Sequence, residues 1–251
     1  MATEQKIQFA SPASIVLAGV LHRPENPGPR GVVICHGMMS SKDSPKHTGI
    51  AQELAKRGFY SMRFDFSGRG QSQGDLLQLS FSRQVTECLA AIEQLTKVGV
   101  IKIGLVGSSM GGAVAVLTAA QTDVAALATM AAVGLTDLLP ERAVGKQNLS
   151  QWRQDGSIRI QDQEVGYALV EDSYKIDLPK QAQEIKCPWL ILHGEQDEVI
   201  PTSDARILHR ASGLKATLEI IARADHRFSN EAHRRQITNR IVDFLDQSIT
   251  E

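Results

Sequence analysis

Short, continuously apolar runs alternate with longer stretches of helical period along most of this chain. Runs of strand length fall at 7–11, 15–22, 32–35, 59–66, 101–106, 124–133, 189–193 and 216–221, and helical period marks 49–57, 80–98, 112–121, 203–211 and 230–247. Within 80–98, for example, Val85, Leu89, Ile92 and Leu95 share one face. Strands with no polar side need cover on both faces, so the pattern predicts an α/β fold: a mostly parallel, eight-stranded sheet with helices on either side. The first two runs flank a turn at Pro12 and are expected to pair as an antiparallel hairpin.

The alternation fails at 134–179, where charge and Gln rise and apolar periodicity weakens. Roughly 45 residues are too many for a loop inside a compact domain. The stretch is therefore expected to be an inserted cap, which divides the chain into a core of 1–133 and 180–251 and a cap of 134–179. Inside it, WRQDGSIRI and EVGYALV suggest a small antiparallel ribbon around Asp155 and Gly156.

Composition narrows the functional classes. At 251 residues the chain suits one α/β domain with an insertion. Lys plus Arg number 27 against 28 Asp plus Glu, which removes the electrostatic case for nucleic acid. No apolar run approaches the roughly 18 residues of a membrane span. The start, MATEQKIQF, lacks a basic segment followed by an apolar one, so a cytoplasmic location is expected. Cys35, Cys88 and Cys187 are odd in number and lack C-x-x-C spacing, which reads as buried reduced thiols. With no H-E-x-x-H or comparable ligand cluster, neither a metal nor a cofactor is expected. The near-neutral charge allows a homodimer without predicting one.

Chemistry concentrates after the run IKIGLV, where Gly107-Ser108-Ser109-Met110-Gly111-Gly112 leads into a helix of small residues. This is G-x-S-x-G in the strand, tight turn, helix setting that exposes a nucleophilic hydroxyl, and it makes Ser109 the candidate nucleophile. The same segment lacks G-x-x-x-x-G-K-[ST], which excludes a phosphate loop.

A serine hydroxyl needs a base. Of seven histidines, His226 follows the run ATLEII in the loop ARADHRF, at the strand edge where sites on such sheets gather. His36 and His193 also end strands but sit in His-Gly turns suited to structural or oxyanion roles; His22, His47, His209 and His233 read as packing or surface residues. The base in turn needs an anion. Asp197 in HGEQDEVIP lies in the same loop layer and is preferred over Glu195, Glu198 and Asp225, the last because side chains of adjacent residues on an extended loop diverge.

With these residues in place the sequence resembles the α/β-hydrolase superfamily from Ile15 to Leu245. The resemblance rests on the elbow, on His36-Gly37-Met38, on the D-x-x-G-x-G-x-S segment from Asp65 to Ser72, on HGEQDEVIP and on Asp225-His226. It implies that the backbone N–H groups of Met38 and Met110 form the oxyanion hole and that Asp65 is structural. The slim insertion resembles that of small bacterial cinnamoyl and feruloyl esterases and, less specifically, monoacylglycerol lipases and serine-aminopeptidase-like hydrolases.

The expected activity is hydrolysis of small or medium soluble esters, aryl or cinnamoyl-type among them, through an acyl-enzyme. Gly37, Trp152, Tyr167 and Tyr174 are candidate substrate contacts, although for the three aromatics the preferred reading is that they build the cap's own core. The competing readings are a monoacylglycerol lipase or peptidase-like hydrolase, a carbon-carbon hydrolase or perhydrolase using the same triad, and an idle hydrolase fold that binds a ligand.

Overall fold

Two small cores, one on each side of a sheet, account for the apolar runs. The structure is a computed structural model that describes residues 2–250. It opens with β1 (Thr3–Ala10) and β2 (Val16–Arg23), antiparallel, with Thr3 opposite Arg23 and Ala10 opposite Val16. There follow β3 (Arg30–Cys35), α1 (Pro45–Lys56), β4 (Tyr60–Phe64), α2 (Phe81–Lys97), β5 (Lys102–Ser108), α3 (Met110–Gln121) and β6 (Ala126–Met130). Next come α4 (Leu139–Val144), α5 (Leu149–Asp155), the hairpin of β7 (Ser157–Ile160) and β8 (Gln163–Gly166), α6 (Ala168–Ser173) and α7 (Leu178–Gln183). The chain closes with β9 (Trp189–Gly194), α8 (Thr202–Ser212), β10 (Ala216–Ile221) and α9 (Glu231–Ser248).

The main sheet has eight strands in the order β1-β2-β4-β3-β5-β6-β9-β10. β2 runs antiparallel to both its neighbours and every other pairing is parallel, as the apolar pattern predicts. Alternation along β3 shows why the run is apolar throughout. Val33 and Cys35 enter the core shared with α2 and α3, while Val32 and Ile34 enter the one shared with α1 and α9. β9 divides in the same way, with Trp189 and Ile191 on one side and Leu190 and Leu192 on the other.

Some boundaries differ from the sequence expectation for identifiable reasons. α1 begins at Pro45, ahead of the apolar period that starts at Ile50, because proline's fixed φ suits a first helical position. β6 stops at Met130 although the run stays apolar to Val133. Ala131 has a φ of 47°, and the chain leaves the strand direction so that Val133 N–H can donate to Ser109 O at 3.2 Å. The three residues are apolar because they are buried.

No strand of the eight-stranded sheet lies in 134–179. The small ribbon is present but is placed differently from the expectation. Trp152 to Asp155 belong to α5, and Gly156, at φ 76°, is its left-handed terminus. The hairpin turns instead at Gln161 and Asp162, between paired Ile160 and Gln163, with Gln161 at φ 53°. Trp152 is fully buried between these pieces, where its Nε1–H donates to Val165 O at 2.9 Å.

One ion pair ties the segment to the main sheet's helices. Asp204, fully buried on α8, accepts from Arg142 Nη1 at 2.7 Å and Nη2 at 2.8 Å, and from the backbone N–H groups of Gly134 and Leu135. Removing the acid leaves a largely buried guanidinium and two amides without acceptors. Asp204→Ala is therefore expected to lower the unfolding free energy by about 3–5 kcal/mol in urea titrations. A loss below about 1 kcal/mol, the range of an exposed pair, would show that the pair does not hold the segment down.

Candidate active site

The turn after β5 is built by two glycines that tolerate no side chain. A Cβ at Gly107 would lie 2.3 Å from Gly111 O, and one at Gly111 would lie 2.3 Å from His36 O. Backbone packed this closely forces Ser109 into φ 56°, ψ −124°, a region that L-residues avoid and that persists only where surroundings over-determine it. Here they do: Ser109 N–H donates to Met130 O at 3.0 Å, and Ser109 O accepts from Gly112, Ala113 and Val133. The hydroxyl is thereby held at the head of α3, over the end of the sheet.

His226 reaches it from the loop after β10. Its Nε2 lies 3.1 Å from Ser109 Oγ and its Nδ1 lies 2.8 Å from Asp197 Oδ2. A carboxylate can only accept, so Nδ1 carries the proton and Nε2 is free to take one from the hydroxyl. Asp197 follows β9 and is fully buried at its side chain. Its Oδ1 accepts from Val199 N–H at 2.9 Å and Ile200 N–H at 2.8 Å.

The second partner of Oδ2 was not singled out by the sequence. His193, also fully buried, places Nε2 at 3.2 Å from Asp197 Oδ2 and 2.8 Å from Ile200 O. Facing two acceptors, Nε2 must carry the proton. The only advance sign was the spacing of His193 and Asp197, four residues apart at a strand end. Burial opposes ionisation of Asp197, but the hydrogen bonds from His193 and His226 outweigh it and hold the carboxyl well below the usual range.

Two of the three rival acids are occupied elsewhere. Asp225 accepts from Ser229 N–H at 2.7 Å, and Glu195 accepts from Arg223 N–H at 2.9 Å. Asp65 takes both the backbone N–H and the ammonium of Lys42, at 2.8 and 2.7 Å, which is a loop-fastening arrangement.

On the other side of Ser109, the His36-Gly37-Met38 turn leaves β3. His36 Nε2 accepts from Phe66 N–H at 3.0 Å, so its Nδ1 carries the proton and donates to Gly37 O at 2.7 Å. Burial draws His36 down to about 4, offset only in part by that carbonyl, so it stays neutral and fixed. A Cβ on Gly37 would stand 3.0 Å from Ser109 Cβ, so this backbone lies directly against the nucleophile. Met38 follows Gly37, and Met110 is the first residue of α3, where N–H groups have no partner within the helix.

Ser109, His226, Gly37, Met38 and Met110 all line one cavity of about 650 Å³. Leu139, Arg142 and Ala143 from α4 and Ile160 and Gln161 from the hairpin tip reach it from above. Trp152, Tyr167 and Tyr174 do not line it, which corrects their candidacy as substrate contacts. Trp152 and Tyr167 meet edge to face, 6.4 Å between centroids, within 134–179, and Tyr174 is turned to solvent. A larger cavity of about 760 Å³ beside β1 and the end of α1 has none of Ser109, Asp197 and His226 in its walls. Among the described residues no cluster of three His, Cys, Asp or Glu side chains suits a metal ion, and no helix is long and apolar enough to cross a membrane.

Known proteins match this arrangement at several levels. Residues 28–233 match the Hydrolase_4 family, described as serine aminopeptidase, S33. The palmitoyl-protein thioesterase ABHD10, mitochondrial, of Bos taurus is 26% identical over 235 residues, covering 88% of this chain and 74% of the relative. Among solved structures, Est1E from Butyrivibrio proteoclasticus with bound ferulic acid superposes with a TM-score of 0.86 at 20% identity, covering 98% of this chain and all of that one. The α/β hydrolase GrgF from Penicillium gives a TM-score of 0.83 at 20% identity, over 98% and 99% of the two chains. These likenesses establish the α/β-hydrolase fold.

Proposed function

We propose, from the premise that the chain belongs to the Hydrolase_4 (serine aminopeptidase, S33) family, that it is a serine carboxylesterase working through Ser109, His226 and Asp197. The observation that carries this reading is the unbroken chain of contacts from Ser109 Oγ through His226 to Asp197, at 3.1 and 2.8 Å. As Oγ attacks an ester carbonyl, its proton passes to His226 Nε2. The imidazolium that forms is stabilised by Asp197, and the negative charge on the carbonyl oxygen is met by the N–H groups of Met38 and Met110. His226 then protonates the departing alcohol. Water, activated by the same nitrogen, releases the acid from Ser109.

Residues 134–179 act as a cap in this scheme, with α4 and the hairpin tip roofing the cavity. The roof mixes apolar Leu139, Ala143 and Ile160 with polar Arg142 and Gln161, which favours small or medium soluble esters over a long acyl chain. A thioester reading stands second, on the likeness to a protein named as a thioesterase. It needs the same residues and a better leaving group.

The test is covalent labelling with a fluorophosphonate followed by peptide mass spectrometry. A single adduct on the peptide carrying Ser109, prevented by a competing 4-nitrophenyl ester, is the expected result. No adduct, or one on another serine, would overturn the assignment. Parallel oxyester and thioester panels then rank the two readings.

A further inference from the structure

We propose that the cavity over Ser109 selects an ester that also bears a carboxylate, and that the ammonium of Lys46, at the N-terminus of α1, receives it. The proposal rests on the esterase reading above and narrows its substrate class.

The walls of the cavity contain Lys46, Arg142, Arg227 and Arg234 and no Asp or Glu. Two of the cations are engaged within the protein. Arg142 is paired with Asp204, and Arg234 donates to Phe228 O and Ser229 O. Lys46 differs from both: the residue is only 8% exposed, yet among the described residues it has no hydrogen-bond acceptor and no ion pair. Its single ring contact is Phe228, 5.8 Å from the centroid. The nearest acids are spent, Asp197 on four donors and Asp225 on Ser229 N–H.

A largely buried lysine with no protein partner for its charge is costly, and its position raises the cost. α1 has Pro45 at its first turn, no side-chain cap and no acid in the first turn. Its N-terminal N–H groups and dipole disfavour a cation and favour an anion. Ser44, Pro45 and Lys46 all face the cavity, so one incoming anion would meet the ammonium and the helix end together. Burial pulls Lys46 down to about 8 against the attraction of Asp197 and Asp225, which leaves it cationic near neutral pH. One unpaired positive charge on a largely buried residue, with exposed Arg227 at the rim, matches the single charge of a carboxylate.

Two substrate pairs test this. One is 4-carboxyphenyl butyrate against its methyl ester, with the charge on the leaving group; the other is monomethyl adipate against dimethyl adipate, with the charge on the acyl side. In at least one pair the wild type is expected to prefer the acid by about tenfold or more in kcat/KM, chiefly through KM, the size of one charge-assisted hydrogen bond. Lys46→Met should bring that ratio near unity, and Arg227→Gln, a change at an exposed position, should lower it severalfold.

Thermal shift supplies a readout independent of turnover: 4-hydroxybenzoate should raise the Tm of wild type and Ser109→Ala but not of Lys46→Met, and its methyl ester should raise none selectively. If neutral esters are cleaved in a Ser109-dependent way with no acid preference in either pair, the carboxylate site is overturned and the esterase reading stands. If no ester is cleaved but the Lys46-dependent Tm shift is present, the carboxylate site stands and the esterase reading falls.

Discussion

Turnover of 4-nitrophenyl butyrate is expected to fall by about 10⁴-fold or more in Ser109→Ala, with the fold unchanged. The variant removes only Oγ, so what survives is whatever the Met38 and Met110 N–H groups and the cavity do for attack by water. Among the described residues the hydroxyl hydrogen-bonds to His226 and to no other protein group. Alanine inherits the same φ of 56° and the same backbone bonds to Met130, Gly112, Ala113 and Val133. Stability should therefore stay within about 1 kcal/mol of wild type. Retention of more than a tenth of the activity would remove Ser109 from the mechanism.

Asp197→Asn is expected to be nearly as damaging, about 10⁴-fold in kcat, although the two side chains have almost the same shape. The amide oxygen can still accept from Val199 and Ile200 N–H, which leaves the NH₂ facing His226 Nδ1. That nitrogen must then accept, so the proton moves to Nε2 and points at the Ser109 hydroxyl it should be receiving from. The variant thus keeps the side chain's shape and reverses the His226 tautomer, while His193 Nε2–H gives up Oδ2 and retains Ile200 O as its acceptor. KM should change little, and circular dichroism should not change.

Its acid stability carries a separate signature. The folded Asp197 carboxyl titrates well below its unfolded counterpart, which lies at about 3.9. The wild type therefore has the full contribution above that value and loses it as pH falls toward the folded one. Asn has no such titration, so the stability difference between the two proteins should shrink on acidification. A difference that is constant from pH 6 to pH 2 would contradict the origin given for the low Asp197 value.

How much of this was readable beforehand depended on whether the signal was local. The sheet was legible because its central strands announce their own cover, as Val32 to Cys35 do by being apolar at every position. Ser109 was legible because its strain is imposed by neighbours two residues away. The placements of His193 and Lys46 were not. His193 resembles any His-Gly turn until β9 and the Asp197 loop are folded, and Lys46 lies in the polar stretch SSKDSPKHTG, which shows no hint of burial. Its ring contact comes from the far-off Phe228.

The stretch 134–179 was the hardest, since helices of six or seven residues are too short to display a period. Gly156 was read as a hairpin turn because a left-handed glycine ends helices and makes turns alike. The aromatics Trp152 and Tyr167 were conspicuous for their rarity, but rarity does not say whether a ring faces inward.

The roof reaches the cavity through five side chains on two short pieces of chain, and these pieces differ in how freely they can drift. Ile160 and Gln161 sit at a hairpin tip. Gln161 is exposed, so its exchange is expected to alter which molecules are admitted at little cost in stability, whereas Ile160 also belongs to the apolar core and tolerates only apolar replacements of similar size. Arg142 has no such freedom, because it also closes a buried ion pair with Asp204 on the helix that follows the acid's loop. Divergence in scope within this architecture should therefore accumulate at the hairpin tip first and reach α4 only in step with compensating change on α8.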